Sequence, residues 1–175
     1  MKLAALLFGV GVSAALCGAA RPARAFEREW HLGGGAGVSS GNGLAMSPAL
    51  AAYAAYGLSD VFDARVEVTA RGYHIGSDQN PNALSAMAGV AYKLDVLRWV
   101  PWAGVYAGYL VFLGEPRPEL SFARRDLALG LGLGLDYGFS RNWGAGVTLR
   151  FDDALTRSSA STFDALLRAE YRWGW

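Results

Sequence analysis

Cysteine is nearly absent from this chain: Cys17 is the only one in 175 residues. It falls within the first 25 positions, which have the form of a cleaved leader, so the remainder has no disulfide, no thiol nucleophile and no thiolate metal ligand. Long apolar runs are missing too. Beyond residue 25 nothing approaches the about 20 apolar residues that a membrane-spanning helix needs, so any embedding in a bilayer must be by strands. Nor is there an excess of one charge. Sixteen basic and 15 acidic residues give a formal net charge of +1. The leader takes away Lys2, Arg21 and Arg24 and no acid, which brings the charge to −2. That balance argues against a nucleic-acid partner, which would require a basic stripe.

The leader itself is well formed. Met1-Lys2 is a short positive start, Leu3 to Leu16 an apolar run, and Ala23-Arg24-Ala25 a small-x-small cleavage site. This predicts a secretory signal peptide over 1–25 and a mature domain over 26–175. A lipidated start at Cys17 would want Leu three residues earlier and a small residue just before it. Ala14-Ala15-Leu16 has the reverse order.

What the mature chain does contain is glycine, alanine, aromatics and a period of two. Apolar residues alternate with polar or small ones in eight segments: 28–39, 49–58, 64–75, 83–95, 102–113, 126–138, 143–152 and 163–175. Period two is the strand period, and lengths of about 9 to 13 residues suit tilted membrane-spanning strands. The connections after the even-numbered segments are short. Those after the odd-numbered ones, at 40–48, 76–82, 114–125 and 153–162, are generally longer and more polar.

Two faces separate by parity. One carries Val66 and Val68; Leu84, Val90 and Tyr92; Leu127 to Leu135 and Tyr137; Trp143, Val147, Leu149 and Phe151; and Tyr171, Trp173 and Trp175. No position on it is charged. The other carries Arg65, Glu67, Arg71, Lys93, Asp95, Asp136, Arg150, Asp152, Arg168, Glu170 and Arg172, interspersed with glycines such as Gly130, Gly132 and Gly134. Small residues on the charged face suit a cramped interior, and bulky ones on the apolar face have room outside. The pattern predicts an all-β fold, an eight-stranded antiparallel transmembrane up-and-down β-barrel with charges inside and apolar residues toward lipid. The first, second and fifth segments resist phasing; in the fifth, two faces compete. Ala103, Val105, Ala107, Tyr109 and Val111 are the preferred lipid face, with Gly104, Tyr106, Gly108 and Leu110 competing.

Aromatics gather near segment ends. Trp30, Tyr56, Tyr92, Trp99, Trp102, Tyr137, Phe139, Trp143, Trp173 and Trp175 fall at the ends with short turns, and Phe112, Phe151 and Phe163 at the others. Two interfacial girdles are expected from them.

These residues resemble the small eight-stranded bacterial outer-membrane barrels of the OmpA/OmpX type, over essentially all of 26–175. The terminal Tyr171-Arg172-Trp173-Gly174-Trp175 resembles the signal read by the barrel assembly machinery, with Trp in place of the commoner final Phe. The resemblance implies a bacterial outer-membrane location, short turns in the periplasm, and outer-membrane lipids and the assembly machinery as partners. No peptidoglycan-binding domain is expected after the last strand.

Candidate chemistry is thin. The interior charges read as a packed ion-pair network, since eight strands leave room only for side chains or one small ligand. His74, near Ser77 and Asp78, lacks the geometry that would make a hydrolase triad. His31 has no partner ligands for a metal. Glycine runs at 33–35 and 130–134 lack the helix and lysine of a phosphate loop. Adjacent Asp152 and Asp153 point to opposite faces, and Arg117, Arg124 and Arg125 read as solvated loop residues. The expectation is a monomeric, non-enzymatic outer-membrane barrel without cofactor or metal, with a structural or surface-interaction role. The alternatives are a narrow channel or carrier for small solutes and, behind it, a lipid-modifying enzyme.

Overall fold

A computed structural model of the chain describes residues 28–41, 44–72, 82–94, 98–113, 125–155 and 160–174. The leader, with Cys17, lies outside them, as do His74, Ser77, Asp78, Asp95, Arg117, Arg124 and Trp175. Eight strands form: β1 (Trp30–Gly41), β2 (Leu44–Gly57), β3 (Phe62–Gly72), β4 (Asn82–Lys93), β5 (Trp99–Leu113), β6 (Arg125–Gly138), β7 (Trp143–Ala154) and β8 (Ser161–Trp173). Each pairs antiparallel with its neighbours in sequence, and β8 pairs with β1 to close the barrel. Closure satisfies every strand edge, which a sheet surrounded by hydrocarbon requires.

The register fixes the geometry. Followed from His31 through Ala55, Arg65, Gly89, Tyr106, Gly130, Asp152 and Thr162, it returns to β1 at Gly41, so one circuit climbs from position 31 to position 41. Such a stagger goes with strands tilted by about 35–45°. On β6 the outward apolar residues run from Leu127 to Tyr137, roughly 33 Å along the strand at 3.3 Å per residue. The tilt reduces that to roughly 25 Å along the axis, the height of the lipid-facing band in outer-membrane barrels.

The outer wall is apolar throughout that band. Leu131 and Leu133 of β6, Val105 of β5 and Leu167 of β8 are each about 60–70% exposed, as a surface bathed in lipid should be. Among the described residues the exposed charges are Arg28, Arg98, Arg125, Arg141 and Asp153, all at strand ends or turns. Asp152, next to Asp153, is fully buried. On β5 the odd-numbered residues face out and Tyr106 and Leu110 face in.

Two element boundaries differ from expectation, and proline explains both. The loop expected over 40–48 is the top of a hairpin: β1 runs to Gly41 and β2 starts at Leu44, with a register shift between Ser39 and Gly41. Pro48 lies inside β2 opposite Val38, one residue beyond the start of the β2–β3 pairing at Ala49. Pro101 lies inside β5 opposite Leu135, one residue beyond the last β4–β5 pair, Lys93 with Trp102. Each proline thus sits at the end of one of its two ladders, where a missing N–H is tolerated, and Pro101 still accepts there through its carbonyl from Leu94 N at 2.9 Å.

Candidate functional site: the barrel interior

One rim is lined by aromatic rings in contact. Trp30 packs on Tyr56 at 4.9 Å and stacks with Trp173 at 6.5 Å; Phe62 meets Tyr92 at 5.3 Å; Trp99 meets Tyr137 at 4.8 Å; Trp143 meets Tyr171 at 5.1 Å. Both ends of the barrel domain lie at this rim. Phe151 faces outward on β7 near the opposite rim, paired with Phe163. Two residues expected in the girdles are not there. Trp102 and Phe112 point into the barrel and are 4% and 8% exposed. Their even parity on β5 places them with Tyr106 and Leu110, so position near a strand end misassigned them.

These inward residues give β5 a second apolar face. Trp102, Tyr106, Leu110 and Phe112 form a spine with Met87, Ala83, Ala91, Ala128, Ala154 and Ala160 that fills one side of the lumen. The neighbouring strand makes room for it. A Cβ on Gly134 would overlap the Trp102 indole, and one on Gly132 would press on both Tyr106 and Trp102. Across the barrel Gly33 serves Tyr53 in the same way. Gly33, Gly132 and Gly134 are therefore beds for specific rings.

Charged side chains fill the rest at successive heights. Nearest the girdle, His31 stands between two carboxylates, with Nε2 3.3 Å from Glu29 Oε2 and Nδ1 3.5 Å from Glu170 Oε2. Tyr53 donates its hydroxyl hydrogen to Glu170 Oε2 at 2.7 Å, and Arg172 Nε donates to Glu170 Oε1 at 2.7 Å. Lys93 Nζ lies 2.7 Å from Asp63 Oδ1.

Above this lies a stack. The Arg65 guanidinium sits 4.2 Å from the Trp102 ring and 5.2 Å from that of Tyr53. The Arg168 guanidinium lies 4.7 Å and 4.9 Å from the same two rings. Two cations are thus held between two π faces. Arg168 also makes a bidentate pair with Asp136.

Higher still, Arg150 lies 4.3 Å from the Tyr106 ring, pairs with Glu67 at 2.7 Å and donates from Nε to Asp152 at 2.8 Å. Arg71 donates to both oxygens of Asp164, to Asp152 Oδ2 at 2.9 Å and to Ser85 Oγ at 2.9 Å.

Of the eleven residues assigned to the interior network from sequence, Asp95 is outside the described residues and the other ten are buried inside the barrel. Glu29, Asp63, Asp126 and Asp164 are buried there as well and were missed. Asp63 had been placed in a turn, and Glu29, Asp126 and Asp164 lie at or near strand ends, where alternation has few neighbours to set its phase. The parity of each strand is the signal that would have found Asp126 and Asp164.

The arrangement leaves little of the inner wall accessible. A conducting bore leaves its lining accessible, whereas Asp63, Thr69, Ala91, Leu110, Asp152 and Asp164 have no accessible surface left, and Arg65, Arg71 and Arg150 keep 2%.

No family model and no curated protein sequence matches the chain. Solved structures do. Neisserial surface protein A superposes with a TM-score of 0.67 at 14% identity, covering 83% of this chain and 96% of that one. The outer membrane protein OprG from Pseudomonas aeruginosa gives 0.61 at 12% identity over 87% of this chain and all of that one. Ail, the attachment invasion locus protein of Yersinia pestis, gives 0.58 at 16% identity over 85% of this chain and all of that one. At these identities the likeness is one of fold. The chain has the fold of the small eight-stranded outer-membrane β-barrels.

Proposed function

We propose that the protein is an integral barrel of the bacterial outer membrane, non-enzymatic and non-conducting, whose role is structural or interactive through its external loops and the outer leaflet. The observation that carries this reading is the conjunction of an apolar outer wall about 25 Å high with an inner wall whose charged side chains are buried and paired. The girdled rim faces the periplasm in this reading. Tyr171, Trp173 and Trp175 serve as the recognition end for the assembly machinery, and the mature domain starts at Phe26 after signal cleavage.

Heat-modifiable migration combined with cell fractionation tests it. The protein is expected in the outer-membrane fraction, running faster unboiled than boiled. Recovery from the soluble periplasm with mobility unchanged by boiling would overturn the proposal.

A further inference from the structure

The girdled rim carries a repeated pairing of an exposed arginine with a tryptophan. β1, β5 and β7 all start at this rim with a tryptophan, and an exposed arginine stands one or two residues before each: Arg28-Glu29-Trp30, Arg98-Trp99 and Arg141-Asn142-Trp143. Each tryptophan is fixed by a ring partner, namely Tyr56, Tyr137 and Tyr171. Arg98 Nη1 also donates to the Tyr137 hydroxyl at 3.5 Å, tying guanidinium to girdle. β3 begins at the same rim differently. Its approach is Ser59-Asp60-Val61-Phe62, with an acid and a phenylalanine where the others have arginine and tryptophan.

Depth decides what these arginines meet. Interfacial tryptophans sit at the boundary between hydrocarbon and headgroups. One to two residues further out is about 2–5 Å along the axis of the tilted barrel, and the headgroup zone outside the hydrocarbon is roughly 5–7 Å thick on each side. The guanidiniums therefore stand at phosphate level, and their planar fork matches two phosphate oxygens. The three pairs are spread around the circumference, at the β8–β1, β4–β5 and β6–β7 sectors, with the Asp60 sector between two of them.

We infer that Arg28, Arg98 and Arg141 form three separate clamps for the phosphates of anionic phospholipid headgroups in the leaflet next to the girdle, and that the Asp60 sector lacks one. The assignment of that leaflet to the periplasmic side rests on the function proposed above; the clamps do not.

The test refolds the mature protein into vesicles of equal parts phosphatidylglycerol and phosphatidylcholine, extracts it in mild detergent and measures the co-purifying lipid by mass spectrometry. The wild type is expected to retain phosphatidylglycerol in preference, with each clamp contributing about fivefold, the effect of one basic residue near an anionic surface. The Arg28→Gln/Arg98→Gln/Arg141→Gln triple variant should return to the vesicle ratio. The corresponding triple Lys variant should keep part of the preference, because charge survives while the fork is lost. Heat-modifiable migration reports that each variant has folded, and the three single Gln variants, each losing part of the enrichment, serve if the triple does not fold. Enrichment that is absent in the wild type or unchanged in the Gln variants would overturn the inference. A wild type that fractionates with the outer membrane yet shows no preference would overturn the clamps alone.

Discussion

Arg65 and Arg71 leave the same strand on the same face and are equally buried, each 2% exposed, yet they are accommodated in opposite ways. Arg71 is surrounded by acceptors: both oxygens of Asp164, one of Asp152 and the Ser85 hydroxyl. Arg65 lies between the Trp102 and Tyr53 rings. Asp63 Oδ2 is 3.7 Å from its Nη2, and its Nε and Nη1 have no hydrogen-bond partner among the described residues. One cation is neutralised by counter-ions, the other by π faces. The difference shows that the interior is not a single ion-pair network. Counter-ions dominate around Arg71 and rings around Arg65, and the two surroundings should fail differently.

Arg71→Met breaks the network. It leaves the Asp164 carboxylate buried without the guanidinium that satisfies both its oxygens, and losing one partner of a buried pair costs about 3–5 kcal/mol. Urea unfolding of the refolded barrel should show that loss as a lower midpoint at unchanged slope. Leu131→Arg places an arginine on the outer wall, where it meets neither counter-ion nor ring. Leu131 is 60% exposed at mid-height on β6, and an arginine there should cost about 2–4 kcal/mol by the same assay in lipid vesicles. Arg65→Met should cost least. Asp63 keeps Lys93 at 2.7 Å, so the loss is limited to the cation–π term, about 0.5–2 kcal/mol. Equal costs for Arg65→Met and Arg71→Met would erase the distinction between the two surroundings.

Much of the barrel was legible before any coordinates. Where one parity is charged and the other apolar, as on β3, β6, β7 and β8, the penalty for a charge in lipid writes the two faces into the residues. β5 was ambiguous for a physical reason. Its inner face is apolar too, because Trp102, Tyr106, Leu110 and Phe112 fill the lumen, so alternation carries little contrast. A cue was nevertheless present: Gly132 and Gly134 on the neighbouring strand leave space that large inward rings on β5 occupy. Pro48 and Pro101 fall in the expected connections because a sequence does not show where a strand's ladder ends. The pairings themselves were out of reach. Arg71 with Asp164 and Arg168 with Asp136 join residues far apart in the chain, and only the register of a closed barrel brings them together.

The central claim, that side chains close the lumen and that the Tyr53–Trp102 stack is part of the closure, meets its most direct test in planar-bilayer conductance. The wild type should be electrically silent. Tyr53→Ala/Trp102→Ala removes both rings and frees Arg65 to swing aside, and this variant should show discrete single-channel steps. Steady ohmic conductance from the wild type, unaltered in the double variant, would contradict the account.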